Sequence, residues 1–190
     1  MIRITGGYLK GRIIDSPGSS VPVRPTTSFF REWIFNVISG TYDISDLKVL
    51  DLFAGTGGVS FEFISRGACC AQMIENNPLM FKVLKKNIEK LSLDNASAIK
   101  ADAFRYLSSI FKKKQPLPFN VIFFDPPYIN TDIIDSSLEL ISENPDLMNR
   151  DILIIVESSK EYRLKISDDF VIFRDRISGD TKMSLIRRKK

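Results

Sequence analysis

Apolar residues between positions 47 and 157 occur in short runs, separated by segments with a helical repeat. Five of these runs are only five or six residues long, which predicts strands rather than helices. They cover residues 48–53, 71–75, 97–101, 120–124 and 152–157. Alternating strands and helices are typical of a parallel sheet with right-handed crossovers and helices on both faces. We therefore predict a doubly wound α/β fold with a mostly parallel sheet.

Two segments show the helical repeat most clearly. In the first, apolar residues recur at the spacing of one helix face: Phe30, Trp33, Ile34, Val37 and Ile38. Thr27 or Ser28 can cap this helix, and Gly40 is expected to end it. The second covers residues 80–91, with an apolar face of Phe81, Leu84, Ile88 and Leu91. Its opposite face is charged and consists of Lys82, Lys85, Lys86, Glu89 and Lys90.

The two ends of the chain show hairpin patterns. Residues 2–14 pair two short alternating segments around glycines, and a stretch rich in Pro, Gly and Ser follows at 16–25. We predict that residues 1–25 form a small β-hairpin appendage with a linker, and that residues 26–190 form the main domain. Segments 170–176 and 181–187 flank a Ser-Gly-Asp turn, which predicts antiparallel strands at one edge of the sheet.

Composition narrows the chemistry. The 190 residues are 44% hydrophobic and 26% charged, as in an ordinary globular protein. The chain contains no His, which excludes Ser-His-Asp catalysis and His-ligated metals, and its two Cys are neighbours in sequence. No apolar run approaches the roughly 20 residues of a membrane span, and the N-terminus lacks a secretion pattern. We expect a cytoplasmic protein with no metal site.

Positive charge is concentrated at both ends, although the net charge is only +4. In the first 31 residues only Asp15 is acidic, against the basic residues Arg3, Lys10, Arg12, Arg24 and Arg31. After Asp180 the chain has no acidic residue, and its basic residues are Lys182, Arg187, Arg188, Lys189 and Lys190. Such patches are typical of nucleic-acid contacts but also of ordinary solvated surfaces.

Acidic residues lie at the ends of four successive predicted strands: Asp51, Glu75, Asp102 and Asp125. Asp51 opens a glycine-rich turn through Gly58, but Ser60 occupies the third glycine position of a dinucleotide fingerprint. Glu75 lies where nucleotide-binding sheets place an acid for ribose hydroxyls. Four acids at one rim disfavour pyrophosphate and favour S-adenosylmethionine, which carries a sulfonium and an ammonium. Asp102, followed by Ala103, is open to a second interpretation as a helix cap.

Asp125-Pro126-Pro127-Tyr128 follows the apolar run 121–124. The prolines hold the backbone extended and lack N–H donors, so the nearby carbonyls and the Asp125 carboxylate can act as acceptors. An exocyclic amine of a nucleobase offers two donors and a flat face on which Tyr128 can stack. The alternative interpretation of this tetrapeptide is a simple Pro-Pro turn.

Several of these segments together resemble the bacterial 16S rRNA (guanine-N2)-methyltransferase family. The resemblance rests on Arg24-Pro25-Thr26-Thr27, Arg31-Glu32, Phe35-Asn36, Asp51 through Gly57, Ser65-Arg66-Gly67-Ala68, Glu75-Asn76, Asp125 through Tyr128 and Val156-Glu157-Ser158. The N-terminal pattern of Gly6, Gly7, Gly11 and Arg12 and the Arg-Pro-Thr-Thr segment narrow it to this family. It extends over nearly the whole chain.

The resemblance implies a seven-stranded methyltransferase sheet that binds S-adenosylmethionine and methylates rRNA, in an assembled or assembling small ribosomal subunit. It implies a cofactor site at Arg24, Thr26, Asp51, Phe53, Ala54, Gly55, Gly57, Glu75, Asn76, Asp102 and Ala103. The catalytic residues would be Asp125, Pro126, Pro127 and Tyr128. We expect RNA contacts at Arg3, Lys10, Arg12, Arg31, Arg187 and Arg188, and a monomeric protein.

Three alternatives remain open. An adenine-N6 methyltransferase of DNA or RNA uses the same acceptor chemistry, although the segments between the strands are short for a DNA-recognition domain. A protein glutamine methyltransferase typically has Asn where this chain has Asp125. A non-catalytic RNA-binding or ribosome assembly module would explain the basic ends but not the acids at the strand ends.

Overall fold

The computed structural model describes residues 2–18, 25–127 and 131–189. Nine strands are found in these ranges: β1 (Ile2–Arg3), β2 (Ile13–Ile14), β3 (Lys48–Asp51), β4 (Cys70–Glu75), β5 (Ala96–Lys100), β6 (Val121–Phe124), β7 (Leu153–Ser159), β8 (Phe170–Ser178) and β9 (Thr181–Arg188). The α-helices are α1 (Ser28–Ile38), α2 (Gly58–Ser65), α3 (Pro78–Leu91), α4 (Ala103–Lys112) and α5 (Thr131–Ser142). No helix in these ranges is long and apolar enough to cross a membrane.

The strands form two sheets. β1 and β2 pair as an antiparallel hairpin, and the other seven strands form a mixed sheet in the order β5-β4-β3-β6-β7-β9-β8. This confirms the predicted α/β class, the seven strands and the separate N-terminal hairpin. The chain divides into two compact units, Met1–Ala101 and Asp102–Lys190. The proposed functional division at residue 25 stays a prediction.

In the first unit, β3, β4 and β5 pair in parallel, with Val49 opposite Ala71 and Ala71 opposite Ala96. Val49 and Leu50 are fully buried because helices cover the sheet. Each of these strands overlaps its predicted run closely, since a short apolar run between two helical repeats leaves little freedom in assignment.

Helix α1 begins after Thr27, whose side chain accepts a hydrogen bond from the Phe30 N–H at 3.3 Å. This confirms the predicted cap, and the helix ends at Ile38, before Gly40. Its buried residues are Phe30, Arg31, Ile34, Phe35 and Ile38, whereas Trp33 and Val37 are only half-buried. The buried face of α1 therefore differs from the predicted one, because it includes Arg31 and leaves Trp33 and Val37 partly exposed.

Helix α3 also buries a different face from the predicted one. Its buried residues are Met80, Leu84, Asn87 and Leu91, while Phe81 and Ile88 are half-buried. Asn87 explains the difference, because its amide donates to the backbone oxygens of Asp15 and Thr56 and accepts from the Asp15 N–H at 2.7 Å. Because these partners satisfy its hydrogen-bonding groups, the amide can occupy a buried position. Sequence periodicity does not detect it.

The second unit contains the antiparallel edge predicted from the tail. β6 and β7 pair in parallel, β7 and β9 pair antiparallel, and β8 pairs antiparallel with β9. All four residues of β6 are buried, which is typical of a strand covered on both faces. Asp125 follows this strand directly.

The N-terminal hairpin packs tightly against helix α2. The Tyr8 N–H donates to the Ser65 carbonyl at 2.8 Å, and the Leu9 N–H donates to Ser65 Oγ at 2.9 Å. Below the hairpin, the fully buried Glu62 accepts from the Thr5 N–H at 2.6 Å and from Arg31 Nε at 3.2 Å. The hairpin is therefore part of the first compact unit rather than a loosely attached arm.

Candidate active site

The turn after β3 is held in a fixed shape by backbone hydrogen bonds. The Ala54 N–H donates to the Ile74 carbonyl at 3.0 Å, and the Gly57 N–H donates to the Ala54 carbonyl at 2.7 Å. Gly55 and Gly57 have φ angles of +55° and +88°, a region that favours glycine. A Cβ at Gly57 would lie 2.4 Å from the Phe61 ring and 2.8 Å from Leu84. The glycine therefore lets the start of α2 approach its neighbours closely.

Glu75, at the end of β4, ties this turn to the next one. Its Oε2 accepts from the Gly55 N–H at 2.8 Å, and its Oε1 accepts from the Asn77 N–H at 2.7 Å. A carboxylate has about four acceptor positions, so each oxygen keeps capacity for a further donor such as a ribose hydroxyl. Asn76, which lies between Glu75 and Asn77 in the chain, is exposed. The structure thus brings the predicted residues Gly55, Glu75 and Asn76 together.

Asn77 is a residue of this site that the motif analysis missed. Its side chain caps α3 by accepting from the Leu79 and Met80 N–H groups at 2.9 and 3.2 Å. The signal was present in the sequence, because Asn followed by Pro78 is a common helix start. Its cap and the Glu75 contact together fix where α3 begins.

Asp51 is almost completely buried beneath the turn. The pKa of this carboxyl is raised to about 7, mainly because burial disfavours the charged form; the charge of Glu75 also raises it, and hydrogen bonds from the Ser60 hydroxyl and the Phe53 N–H partly oppose the rise. Ser60 Oγ donates to Asp51 Oδ2 at 2.8 Å, whereas Oδ1 has no hydrogen-bond partner of normal geometry among the described residues. Because this pKa exceeds the usual value, the carboxyl's contribution to folding stability falls as pH rises toward and through 7. Ser60, noted above only as a departure from the dinucleotide fingerprint, therefore orients this carboxyl.

The predicted residues Phe53 and Ala54 lie in the same turn, half-buried and buried respectively. Thr26 is buried elsewhere in the first unit, and its carbonyl accepts a hydrogen bond from the Arg31 guanidinium. Arg24 and Tyr128 lie outside the described residues. Within the described ranges, no group of three or more Cys, Asp or Glu side chains is placed to hold a metal ion.

Asp102 is the N-cap residue of α4. Its Oδ1 accepts from the Arg105 N–H at 2.9 Å, and Ala103 is the buried first residue of the helix. The cap interpretation is therefore what the structure shows for one carboxylate oxygen. A contact with a cofactor stays a prediction for Asp102 and Ala103.

The Asp-Pro-Pro segment follows β6 in the second unit. Asp125 is half-buried, Pro126 is buried and Pro127 is exposed. Neither proline has an N–H, so the backbone of these two residues offers only carbonyl acceptors. A carboxylate and rigid carbonyls thus lie at the carboxyl end of a fully buried strand, which is the end where ligands bind in open α/β sheets.

The burial of Arg31 corrects its prediction as an RNA contact. Its side chain is only 4% exposed and pairs with Glu62, and its guanidinium also donates to the carbonyls of Thr26 and Arg3. These three hydrogen bonds direct the buried guanidinium into the protein, so Arg31 acts as a structural residue. The sequence shows that Arg31 is positively charged. It does not show that the side chain pairs with the buried Glu62, which lies 31 residues away in the chain.

The other predicted RNA contacts differ in exposure. Arg3, Lys10 and Arg12 are exposed on the hairpin. Arg187 is half-buried, with its guanidinium 5.0 Å from the centre of the Phe173 ring. Arg188 is half-buried and donates to the Pro145 carbonyl at 3.4 Å. The three hairpin residues are therefore the more accessible cations.

Comparisons with known proteins agree with this arrangement. The family model "Conserved hypothetical protein 95" matches residues 2–187. Ribosomal RNA small subunit methyltransferase D of Escherichia coli (strain K12) is 32% identical over 99% of this chain and 90% of that protein. The solved structure "Putative methyltransferase yhhF from Escherichia coli" has a TM-score of 0.82 and 31% identity, covering 99% of this chain and 98% of that one.

A more distant structure shares the fold. The solved structure "Crystal structure of SMU.776, a putative methyltransferase complexed with SAH" has a TM-score of 0.61 and 16% identity, covering 83% of this chain and 48% of that one. The family model and the E. coli relative both extend over almost all of the present sequence. The chain therefore belongs to the Conserved hypothetical protein 95 family and to the family of ribosomal RNA small subunit methyltransferase D.

Proposed function

We propose that this protein uses S-adenosylmethionine to methylate the exocyclic N2 amine of a guanine in 16S rRNA. The observation that carries the proposal is the glycine turn tied to Glu75 above the buried Asp51, in a chain of this methyltransferase family. The Asp125-Pro126-Pro127 segment supports transfer to an amine in particular.

The residues of the turn fit this cofactor. Among the described residues, no donor of normal geometry reaches the buried Asp51 Oδ1. An ammonium or an ordered water can provide that donor. Glu75 retains acceptor capacity for a ribose diol. Glu75 acts electrostatically on Asp51, and two interacting carboxyl groups favour a cationic ligand and disfavour a pyrophosphate. The donor set thus matches S-adenosylmethionine better than a dinucleotide.

The proposed cofactor residues fall into groups by role. Asp51 and the backbone of the glycine turn would hold the methionine end, and Glu75 would hold the ribose. Further contacts are proposed, in agreement with the sequence prediction, for Arg24, Thr26, Phe53, Ala54, Gly55, Gly57, Asn76, Asp102 and Ala103. When bound, S-adenosylmethionine supplies an electrophilic methyl group on its sulfonium.

Asp125 and the Pro126 carbonyl would accept the two hydrogens of the target amine. These hydrogen bonds localise the nitrogen lone pair, which the guanine ring otherwise delocalises, and so make it available for in-line attack. Positive charge then grows on the nitrogen, and the Asp125 carboxylate stabilises it before the proton leaves. Tyr128 would stack on the base. Positioning of this kind can contribute roughly 7–11 kcal/mol to the barrier reduction.

Unmodified small ribosomal subunits incubated with the protein and methyl-labelled S-adenosylmethionine test this function directly. We expect label in N2-methylguanosine after digestion of the RNA to nucleosides. Naked 16S rRNA serves as a parallel substrate, which decides whether the substrate is free RNA or a ribosomal particle, and large subunits serve as a specificity control. Label in N6-methyladenosine instead would refute the guanine assignment, and label in no nucleoside would refute the activity.

Cofactor binding is expected to depend on pH through Asp51. Because the pKa of this carboxyl is raised to about 7, a cationic ligand must displace its proton at lower pH. We expect the affinity for S-adenosylmethionine to rise between pH 5.5 and 7.5, by up to about tenfold per pH unit below the pKa. Calorimetry in two buffers of different ionisation enthalpy measures both the affinity and the released proton.

Asp51→Asn is the matched control, because it keeps the shape of the side chain and removes its titration. The variant should bind more weakly and lose the proton release, while any titration of the ligand itself persists. A wild-type affinity that stays flat over this range would contradict the role of Asp51.

We further propose that the protein acts as a monomer in the cytoplasm. Size-exclusion chromatography with light scattering checks the oligomeric state with the same samples.

A further inference from the structure

Tyr8 is unusual among the large apolar side chains of the described residues. It is 68% exposed, more than Ile177 at 55% and Leu79 at 51%. It belongs to the hairpin, next to the buried Leu9. A tyrosine combines an apolar ring with a polar hydroxyl, a combination that is enriched at interaction surfaces, and the anchored neighbour keeps this ring accessible to a ligand.

The backbone that carries Tyr8 is held firmly. The Tyr8 N–H donates to the Ser65 carbonyl at 2.8 Å, and the Lys10 N–H donates to the Gly7 carbonyl at 3.1 Å. Gly7 has a φ angle of +74°, and a Cβ there would lie 1.7 Å from the Ser65 carbonyl oxygen. Only glycine allows this approach to α2. The exposed ring therefore extends from a fixed support.

The segment that carries the ring is positively charged. Arg3, Lys10 and Arg12 are exposed, and residues 2–14 contain no acidic residue. The first acid, Asp15, is held by Lys86 and Lys90 at 3.1 and 2.6 Å, and these hydrogen bonds lower its pKa. Its negative charge is thus compensated locally and does not oppose an anion at the hairpin.

An exposed aromatic ring on a firmly held backbone, with exposed cations on the same hairpin, is a combination that suits single-stranded nucleic acid. Bases stack on the ring, and the cations contact the phosphates on either side. Exposed aliphatic residues such as Ile177 have no π-face and offer only nonspecific apolar contact. Charge complementarity thus favours an RNA strand over an apolar partner at this surface.

We propose that Tyr8 is a base-stacking residue that binds an unpaired nucleotide of the RNA substrate, with Lys10 and Arg12 on the adjacent phosphates. The inference rests on the proposed function, because it assumes that the substrate is RNA. It assigns to the hairpin a contact with an RNA base in addition to contacts with the RNA phosphates. Tyr8 would therefore contribute to which RNA region the protein binds.

The test compares Tyr8→Ala, Tyr8→Phe and Lys10→Ala, with Ile177→Ala as a control of similar exposure. The probe is a short fluorescein-labelled single-stranded RNA, and fluorescence anisotropy gives its affinity at several salt concentrations. Loss of one stacked base should weaken binding roughly 5- to 100-fold in Tyr8→Ala. Tyr8→Phe keeps the ring and should bind within about twofold of wild type, as should Ile177→Ala.

Salt dependence separates stacking from charge. Lys10→Ala should reduce the log–log slope of affinity against salt by about 0.7, as expected for one lost phosphate contact with a single strand. Tyr8→Ala should leave that slope unchanged, because an uncharged ring releases no counterion. Unchanged affinity in Tyr8→Ala would overturn the proposal. So would a defect seen only with assembled subunits and not with the RNA probe, because it would indicate a protein partner.

The labelling experiment distinguishes this inference from the function on which it rests. If wild-type protein methylates guanine in rRNA and Tyr8→Ala binds the probe normally, only the stacking role fails. If wild-type protein neither methylates rRNA nor binds the probe, the proposed function fails first. Binding of S-adenosylmethionine by Tyr8→Ala should equal that of wild type, which shows that the variant is folded.

Discussion

Asp125→Ala should strongly reduce the rate of methyl transfer while S-adenosylmethionine still binds. The carboxylate is proposed to accept a hydrogen from the target amine and to stabilise the positive charge that develops on its nitrogen. Loss of one such preorganised group typically lowers kcat by about 10²–10³-fold. Single-turnover transfer to small ribosomal subunits, together with calorimetric titration of the cofactor, measures the two properties separately.

Two further variants sharpen this result. Asp125→Asn keeps an oxygen acceptor but removes the charge, so it should retain more activity than Asp125→Ala. Asp151→Ala removes an exposed acid of the same unit and should have wild-type activity. If Asp125→Ala turned over at a near-normal rate, the assignment of the catalytic segment would be wrong.

Among the variants considered, Glu62→Ala should cause the largest loss of folding stability. Glu62 is fully buried, pairs with Arg31 at 3.2 Å, and lies 3.5 Å from Arg66 Nε, while Arg31 is 4% exposed. Its removal leaves the Arg31 charge buried without a carboxylate and the Thr5 N–H without its acceptor. Breaking a buried pair in this way costs about 3–5 kcal/mol of unfolding free energy. Urea denaturation at constant pH measures the change.

Glu89→Ala provides the matched comparison, because it makes the same substitution at an exposed position of α3. Its unfolding midpoint should stay close to that of wild type. Glu62→Gln keeps the size and one acceptor oxygen, so its loss should be smaller than that of Glu62→Ala. Equal midpoints for Glu62→Ala and Glu89→Ala would show that the buried pair contributes nothing to stability.

The alternation of strands and helices was readable from sequence because each element has a local repeat. The runs at 48–53 and 152–157 could be recognised as strands without knowledge of the strands they pair with. Thr27 indicated the start of α1 because threonine is a common N-cap residue. The glycine turn and Glu75 were also predicted correctly as neighbours. Parallel strands bring their carboxyl ends to the same edge, so local assignment was enough to place them.

Polar residues with distant partners were not readable in this way. Arg31 was assigned to RNA because its sign matched its neighbours in sequence, although Glu62 neutralises it in the core. Asn87 interrupts an apolar face because its partners include the backbone of Asp15, 72 residues away. Asp102 matched both a cap and a ligand contact, and only its 2.9 Å bond to the Arg105 N–H established the cap.

The order of apolar runs, the glycine turn and the acids at the strand ends thus came from the sequence of this protein, because they depend on local periodicity and on residue type. The tertiary structure decided which charges face solvent and that Asp51 is buried with one oxygen lacking a hydrogen-bond partner among the described residues. It also decided that the hairpin is held to α2 with Tyr8 exposed. The physical reason is that burial and pairing depend on contacts between segments far apart in the chain. A repeat within one segment carries no information about those contacts.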